Sequence, residues 1–221
     1  MSVAIVLLSG GIDSTTALYW ALRQGFTVRA ITYNYHRHPS RELEAARKIA
    51  YHAGVNCLEI ELPFLQTAAD IVRENSATFK GVEVPEGYIP SRNLIFYAIA
   101  AYYAEIHCAN YIVGGHLQTD SIGFPDASPT FFLAIERLIN SSRLDNESND
   151  PRVRLLMPFL QRSKTDVLKM ASELEVPLEL TWSCYYDRED QCRECVSCLE
   201  RADAFAEAGL IDPLKESKKK P

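Results

Sequence analysis

The sequence lacks the long hydrophobic run that a membrane-spanning protein requires. None of its 221 residues belongs to a stretch of the ~18 consecutive apolar residues that cross a bilayer. The apolar segment Val3–Leu8 has no basic residues before it and leads directly into a glycine turn, so it does not have the pattern of a signal peptide. We therefore expect a cytoplasmic protein with no membrane partner.

The sequence also lacks a concentration of basic residues. The formal net charge is −6, and the only run of basic residues is Lys218-Lys219-Lys220. Proteins that bind nucleic acids normally carry a basic stripe, so the sequence favours a small-molecule substrate over DNA or RNA. It contains neither internal repeats nor low-complexity linkers. Its length suits one α/β domain with a small appendage.

Strand-like and helix-like segments alternate along the chain. The predicted strands are Val3–Leu8, Phe26–Tyr35, Val55–Leu62, Tyr111–Gly115 and Arg152–Leu160. The predicted helices are Thr15–Arg23, Arg41–His52, Leu94–Ala109, Pro129–Leu144, a helix that starts at Ser163 and ends near Glu175, and Leu199–Ala208. The unbroken apolar segment Val3–Leu8 predicts a strand buried on both faces, and Ser163-Lys164-Thr165-Asp166 resembles a capping box. Strands separated by helices favour right-handed crossovers and a parallel sheet. We therefore predict an α/β, Rossmann-like sheet of about five parallel strands, with a long mobile loop over Asn75–Pro90.

A glycine-rich turn joins the first predicted strand to the first predicted helix. It reads Ser9-Gly10-Gly11-Ile12-Asp13-Ser14. Backbone N–H groups at a helix N-terminus lack partners within the helix, and the helix dipole is positive there, so an anion binds well. Glycine lets the backbone approach phosphate oxygens closely, and Ser9, Ser14 and Thr15 can add hydroxyl donors. We therefore predict a phosphate-binding loop beyond the end of the first strand.

Two other nucleotide-binding motifs do not match this turn, and one interpretation without a ligand remains. A Walker A loop requires Lys followed by Ser or Thr after its last glycine, and a dinucleotide fingerprint requires three spaced glycines. The turn has neither pattern. The remaining alternative is a simple helix start in a tight turn. In either case we predict Asp13 or Ser14 as the N-cap residue of the first helix and Gly25 as its stop signal.

The turn resembles the S-G-G-x-D-S signature of the PP-loop ATP pyrophosphatases. The resemblance implies an adenine nucleotide alpha hydrolase-like fold and cleavage of ATP between its α and β phosphates. It associates Asp13 with phosphate and magnesium. The loop would hold the pyrophosphate leaving group, whose charge must be stabilised as it departs. The implied nucleotide-binding residues are Leu8, Ser9, Gly10, Gly11, Ile12, Asp13, Ser14, Thr15, Thr16, Ala17 and Leu18.

Four cysteines are clustered near the C-terminus. Cys184, Cys192, Cys195 and Cys198 have the spacing C-x7-C-x2-C-x2-C. Closely spaced cysteines present paired thiolates to one metal ion, and four thiolates complete the tetrahedral shell of a structural zinc site. An iron–sulfur cluster is one alternative, although Leu199 rather than proline follows the last cysteine. Free or disulfide-bonded thiols are the other.

Nearly the whole chain resembles the QueC family, the 7-cyano-7-deazaguanine synthases. The matching segments are Ser9–Thr16, Pro90–Asn93, Thr119-Asp120, Gly123–Asp126, Ser163-Lys164, Leu180–Tyr185 and the cysteine cluster. The resemblance implies a PP-loop ATP-binding domain over residues 1–180 and a zinc-binding segment over residues 181–221. It also implies a homodimer.

The resemblance implies a reaction as well. ATP adenylates the carboxylate of 7-carboxy-7-deazaguanine, ammonia forms the amide, and a second activation dehydrates the amide to the nitrile. Such a ligase uses ATP and Mg²⁺ and carries structural Zn²⁺. The predicted catalytic residues are Asp13, Arg92, Lys164 and Asp120. As alternatives, Arg92 forms a salt bridge at a helix start, Lys164 is solvated, and Asp120 caps a turn.

The chain departs from the family pattern in two places. Many members carry Gln-Arg-His after the second-strand tyrosine, where this chain has Tyr35-His36-Arg37-His38-Pro39, and many carry Cys-Arg where it has Ala127-Ser128. These departures leave open a related enzyme that activates another carboxylate. A non-catalytic zinc protein that senses nucleotides is a further alternative. A tRNA-thiolating enzyme is disfavoured, because a basic surface is missing.

Overall fold

A computed structural model of the chain describes residues 2–35, 41–66, 78–79, 82–83, 88–143, 152–186 and 188–215. The strands in these residues are β1 (Val3–Leu7), β2 (Thr27–Asn34), β3 (Asn56–Glu61), β4 (Thr78–Phe79), β5 (Val82–Glu83), β6 (Tyr111–Val113) and β7 (Arg154–Leu156). Five of them form a parallel sheet in the order β3-β2-β1-β6-β7. The strands β4 and β5 form a separate antiparallel pair. The predicted α/β fold with five parallel strands is confirmed.

Helices connect and cover the strands. They are α1 (Ile12–Arg23), α2 (Arg41–His52), α3 (Arg92–Ile106), α4 (Asp120–Gly123), α5 (Pro129–Ser141), α6 (Lys164–Glu173) and α7 (Val196–Ala208). Short 3-10 turns span Pro125–Ala127 and Leu178–Leu180. Among the helices of the described residues, none has both the length and the hydrophobicity needed to cross a membrane.

The central strand β1 explains why helices lie on both faces of the sheet. Successive residues of a strand point to opposite faces. Ala4 and Val6 pack with residues of α1, α2, α6 and α7, whereas Ile5 packs with residues of α3 and α5. All three side chains are completely buried, so the unbroken apolar sequence of β1 is the one that a strand covered on both faces requires.

The predicted N-cap of the first helix was wrong. Helix α1 begins at Ile12, and Gly11 rather than Asp13 or Ser14 is its N-cap residue. The hydroxyl of Ser14 donates to the carbonyl of Gly11 and contacts the Ser9 hydroxyl. It therefore stabilises the loop, and the cap has no side-chain hydrogen bond.

Other element boundaries also differ from the predicted ones. Helix α7 begins at Val196 rather than Leu199, because Cys195 is its N-cap residue, and β7 is shorter than predicted. Part of the predicted loop Asn75–Pro90 forms β4 and β5, while residues 75–77, 80–81 and 84–87 lie outside the described residues. The boundary near residue 180 stays a prediction; Phe205 of α7 packs in the same apolar cluster as α1.

Candidate active site

The predicted phosphate loop lies where the strand order reverses, between β1 and β6. Open α/β sheets bind ligands at this point, beyond the carboxyl ends of the strands. Gly10 has φ +95°, a conformation that side-chain-bearing residues rarely adopt. A Cβ at Gly10 would collide with the carbonyl of Glu42 in α2, and a Cβ at Gly115 would lie 2.8 Å from backbone atoms of Asp13. The backbone therefore confines the loop from two sides.

The hydroxyl groups of the loop bond mainly within the loop. The Oγ atoms of Ser9 and Ser14 are 3.0 Å apart, and Thr15 donates to the carbonyl of Gly11 at 2.7 Å. Accessible surface remains on Ser9, Gly11, Asp13 and Ser14. The other predicted nucleotide-binding residues are buried: Leu8, Gly10, Ile12, Thr15, Thr16, Ala17 and Leu18. The buried residues support the loop, and the accessible ones line its surface.

Asp13 and Lys164 meet at the phosphate loop. Their Oδ2 and Nζ atoms are 3.1 Å apart, and each side chain is 23% exposed. Lys164 is the first residue of α6, which begins with the predicted capping box of Ser163 and Asp166. Burial disfavours the charged form of Lys164, but the carboxylates of Asp13, Glu200 and Asp120 together outweigh this effect, so the pKa of Lys164 is raised. A permanently charged cation therefore lies beside the loop.

Arg92, the first residue of α3, belongs to the same polar cluster. Its guanidinium hydrogen-bonds with Tyr35, and its charge acts on the carboxylate of Glu42 and on the ring of His116. Glu42 hydrogen-bonds in turn with Ser9 of the loop. Burial raises the pKa of Glu42, while Arg92 and Ser9 oppose that rise. Glu42 is therefore a charged partner for Arg92, as the salt-bridge alternative requires, and it borders the phosphate loop.

His116 and Asp120 follow β6 on the other side of the crevice. His116 Nδ1 lies 3.8 Å from Asp120 Oδ2, which also accepts the backbone N–H of Leu117 at 2.8 Å. Burial raises the pKa of Asp120. Burial, reinforced by the positive charge of Arg92, lowers the pKa of His116 to about 4. His116 is therefore neutral at pH 7, and Asp120 does cap a turn.

Asp126 holds the start of α3, next to Arg92. Its Oδ2 accepts the backbone N–H of Asn93 at 3.0 Å, and its carbonyl accepts the Asn93 side chain at 3.0 Å. The N-cap residue Ser91 makes no side-chain cap hydrogen bond. Asp126 therefore supplies the missing acceptor from a distant part of the chain and orients the helix start that carries Arg92.

The four predicted metal-binding cysteines converge. Their Sγ atoms all lie within 4.8 Å of one another, and those of Cys192 and Cys198 are 3.8 Å apart. Zn–S bonds of about 2.3 Å in a tetrahedron place sulfur atoms about 3.8 Å apart, so the site has the correct size for zinc. Backbone N–H groups donate to Cys184 and Cys192, as is suitable for thiolates. All six cysteines of the chain are free of disulfides.

Comparison with known proteins identifies the family. The family model for "Queuosine biosynthesis protein QueC" matches residues 3–209. The chain belongs to the QueC family. Relatives named 7-cyano-7-deazaguanine synthase include one from Thermoplasma volcanium, 37% identical over 97% of this chain and 91% of the relative. Another, from Aliarcobacter butzleri, is 37% identical over 96% of this chain and 94% of the relative. The prediction of an enzyme of queuosine biosynthesis is confirmed.

Solved structures agree with the fold of this QueC-family chain. A 4-thiouridine synthetase solved with RNA and bound ATP has a TM-score of 0.54 at 19% identity, covering 94% of this chain and 50% of that chain. A "predicted subunit of tRNA methyltransferase" from Methanocaldococcus jannaschii has a TM-score of 0.55 at 20% identity, covering 78% of this chain and 76% of that chain. At this identity the likeness concerns the fold alone.

The contacts of two residues of the QueC-family site, Glu42 and Asp126, could not be predicted from the sequence. Glu42 is an acidic residue in the first turn of an amphipathic helix, where such residues are common because they stabilise the helix dipole. Asp126 belongs to the family-like segment Gly123–Asp126, which suggested a ligand of magnesium or of the substrate base, or a turn cap, but no link to the helix of Arg92. Their places in the site depend on contacts over long sequence separations, with Ser9 and Asn93 respectively.

Proposed function

We propose that this chain converts 7-carboxy-7-deazaguanine and ammonia into 7-cyano-7-deazaguanine at the expense of ATP, in the cytoplasm. The observation that carries the proposal is the Asp13–Lys164 pair beside the phosphate loop, in a chain whose QueC-family relatives bear the name of this synthase. The free thiols of the chain suit a reducing compartment.

The first step is the activation of the carboxylate. An oxygen of the substrate carboxylate attacks the α-phosphorus of ATP, the bond from that phosphorus to the bridging oxygen breaks, and pyrophosphate leaves. Backbone N–H groups at the start of α1 and the charge of Lys164 stabilise the negative charge that develops on the leaving group. Arg92 holds the carboxylate, since a guanidinium binds a carboxylate through two parallel hydrogen bonds.

The second step forms the carbon–nitrogen bond. Ammonia attacks the activated carbonyl carbon, the bond between this carbon and the phosphate oxygen of AMP breaks, AMP leaves with the bonding electrons, and a proton is lost to give the amide. The amide oxygen then attacks the α-phosphorus of a second ATP and pyrophosphate leaves. Loss of AMP, which carries away that oxygen, and of the two N–H protons gives the nitrile. His116 stays neutral at pH 7, since burial lowers its pKa to about 4, so it adds no charge near the reacting carboxylate.

Metal ions have suitable positions in this scheme. Oδ1 of Asp13 is buried and has no hydrogen-bond partner among the described residues. Magnesium prefers carboxylate oxygens together with substrate phosphates, and in this position it would neutralise phosphate charge. The four cysteines would hold zinc, whose closed tetrahedral shell has a structural role.

The related enzyme that activates a different carboxylate is the second candidate. At the departures from the family pattern, Ala127 is 1% exposed, and Ser128 is the N-cap residue of α5, accepting the N–H of Phe131. Ser128 therefore caps a helix at the position where many members of the QueC family carry an arginine, and the absence of that arginine favours a different carboxylate substrate. His36 and Pro39 lie outside the described residues.

We also propose that the chain forms a homodimer. Leu94, Ala98, Tyr102 and Ile106 follow one another at intervals of four residues on the exposed side of α3. Residues four positions apart lie on the same face of a helix, so these four side chains form one stripe. Its apolar character suits contact with a second copy. Light scattering of the purified protein tests this proposal, and a monomer at all concentrations contradicts it.

Mass spectrometry of the products tests the function. The protein is incubated with ATP, magnesium, ammonia and 7-carboxy-7-deazaguanine, and we expect the nitrile together with AMP and pyrophosphate. Pyrophosphate release with another carboxylate, but no nitrile, would favour the second candidate. A nucleotide-sensing regulator would release no pyrophosphate with any substrate.

A further inference from the structure

A buried arginine holds the segment between the core and the cysteine cluster. Arg201 of α7 is 1% exposed. Its Nε and Nη2 donate to the two carboxylate oxygens of Asp212 at 3.0 Å each. Its Nη1 donates to Thr181 Oγ1 at 2.9 Å and to Ser183 Oγ at 3.4 Å. Its Nη2 also donates to the carbonyl of Leu178 at 3.3 Å.

The segment that Arg201 holds contacts the phosphate loop directly. Trp182 lies between the two hydroxyl residues that bond to Arg201, and its backbone N–H donates to the carbonyl of Gly10 at 2.9 Å. A Cβ at Gly11 would lie 3.7 Å from the carbonyl oxygen of Trp182, which is an ordinary contact distance. Trp182 therefore closes a third side of the loop, in addition to α2 and Gly115.

The same residues are tied to the cysteine cluster. Cys195 is the N-cap residue of α7, and Cys198 lies in the first turn of that helix, three positions before Arg201. The indole N–H of Trp182 donates to the carbonyl of Cys184 at 3.0 Å, and its ring packs against the cluster. The cysteine cluster is therefore in contact with Trp182 and continuous with the helix that carries Arg201.

Stability alone is a poor reason for this buried ion pair. Desolvation of two charges offsets much of their attraction, and well-packed apolar replacements of a buried pair are often as stable or more so. A guanidinium, however, directs several hydrogen bonds from one rigid plane. Arg201 uses this property to join Asp212 to three positions along one segment, which an apolar side chain would leave free to shift.

We propose that Arg201 is a positioning residue for nucleotide binding. Through Thr181 and Ser183 it holds Trp182 against Gly10, and thereby keeps the N–H groups of the loop directed at the phosphates. The inference rests on the proposed function, because it takes this loop as the ATP site. Misplacement of a binding group by about 1 Å can cost ~10²-fold in rate, so a small movement of the loop has a measurable effect.

Calorimetric titration of the full chain with a non-hydrolysable ATP analogue tests the inference. The double variant Arg201→Met/Asp212→Leu removes both charges together, so that no buried charge is left unpaired. We expect the Kd to rise about tenfold or more, because Trp182 is no longer held against the loop, while Tm changes little, because a buried ion pair can be replaced by apolar side chains at little cost in stability. A folded double variant whose Kd stays within about twofold of wild type, a difference worth less than one weak hydrogen bond, overturns the inference.

A second variant decides the question if the first does not fold. Thr181→Val/Ser183→Ala keeps the ion pair and removes the two hydroxyls that accept from Arg201, together with the hydrogen bond that Thr181 donates to the carbonyl of Leu178. We expect the Kd to rise about threefold to tenfold, and an unchanged Kd overturns the inference. The matched control is Asn140→Ala, which loses two hydrogen bonds to Val153 on the opposite face of the sheet. This variant should have a lower Tm and an unchanged Kd. If its Kd rises as much as that of the Arg201 variants, general destabilisation explains the effect and the inference is overturned.

The wild-type titration separates this inference from the proposed function. A wild type that does not bind the analogue overturns both. A wild type that binds, and produces the nitrile, while the Arg201 and Thr181/Ser183 variants bind equally well, overturns the positioning role alone.

Discussion

Lys164 Nζ lies 3.1 Å from Asp13 Oδ2, across a separation of 151 residues in the sequence. The pair joins the start of α6 to the first turn of α1, at the loop that follows β1. It places one cation and one carboxylate at the point where a nucleotide's phosphates would enter. The second oxygen of Asp13 has no hydrogen-bond partner among the described residues, and it is the atom to which we assign magnesium in the proposed reaction.

We expect Asp13→Asn to reduce pyrophosphate release by ~10²–10³-fold, the cost of losing one well-placed electrostatic group. The amide is nearly isosteric, so circular dichroism and Tm should remain close to those of wild type. The control is Asp203→Asn, which changes an exposed carboxylate of α7 and should leave the rate unchanged. Full activity of Asp13→Asn would show that the phosphates bind elsewhere.

Gly10→Ala should destabilise the fold by on the order of 3 kcal/mol, through a strained positive φ and through overpacking. A Cβ at Gly10 meets the backbone of α2, which cannot move aside as a flexible side chain would. Gly54→Ala is the matched control: Gly54 also has a positive φ, of +66°, but a Cβ there meets no atom within 4 Å. Urea denaturation compares the two, and equal losses would exclude the steric contribution.

Acid should destabilise the protein through His116. The unfolded histidine binds a proton below about pH 6.5, whereas the folded one does so only near pH 4, because burial lowers its pKa to about 4. The unfolded state therefore binds more protons between these values, and the free energy of unfolding falls as the pH drops from about 6.5 to 4, by on the order of 3 kcal/mol.

Urea denaturation at several pH values measures this dependence. His116→Gln should show a smaller fall than wild type over that range. His52→Gln, which changes an exposed histidine, should keep the wild-type dependence. A His116→Gln curve parallel to that of wild type would contradict the assignment of the fall to His116.

Elemental analysis should find one zinc per chain, since four thiolates complete a tetrahedral shell. Cys198→Ser should lose the metal and lower Tm, because metal binding contributes directly to folding. Cys57→Ser is the control; Cys57 lies in β3 outside the cluster and its substitution should leave the zinc content unchanged. Iron together with acid-labile sulfide would instead identify an iron–sulfur cluster.

The sequence determined the features that depend on local pattern. The unbroken apolar segment at β1 predicted a strand buried on both faces, the pattern from Ser163 to Asp166 predicted the capping box, and the spacing of the cysteines predicted their convergence. Each of these depends on residues close together in the chain, for which periodicity, capping and ligand spacing are direct physical signals.

Only the tertiary structure decided which distant groups share the site. Glu42 joins Arg92 and Ser9, Asp126 caps the helix of Arg92, and Arg201 reaches the segment beside Gly10. The N-cap residue of α1 is Gly11 rather than Asp13 or Ser14, and the Ser14 hydroxyl donates to the Gly11 carbonyl within the loop. These contacts depend on how helices pack on the sheet, and a single side chain carries no local signal for a partner that the fold brings to it.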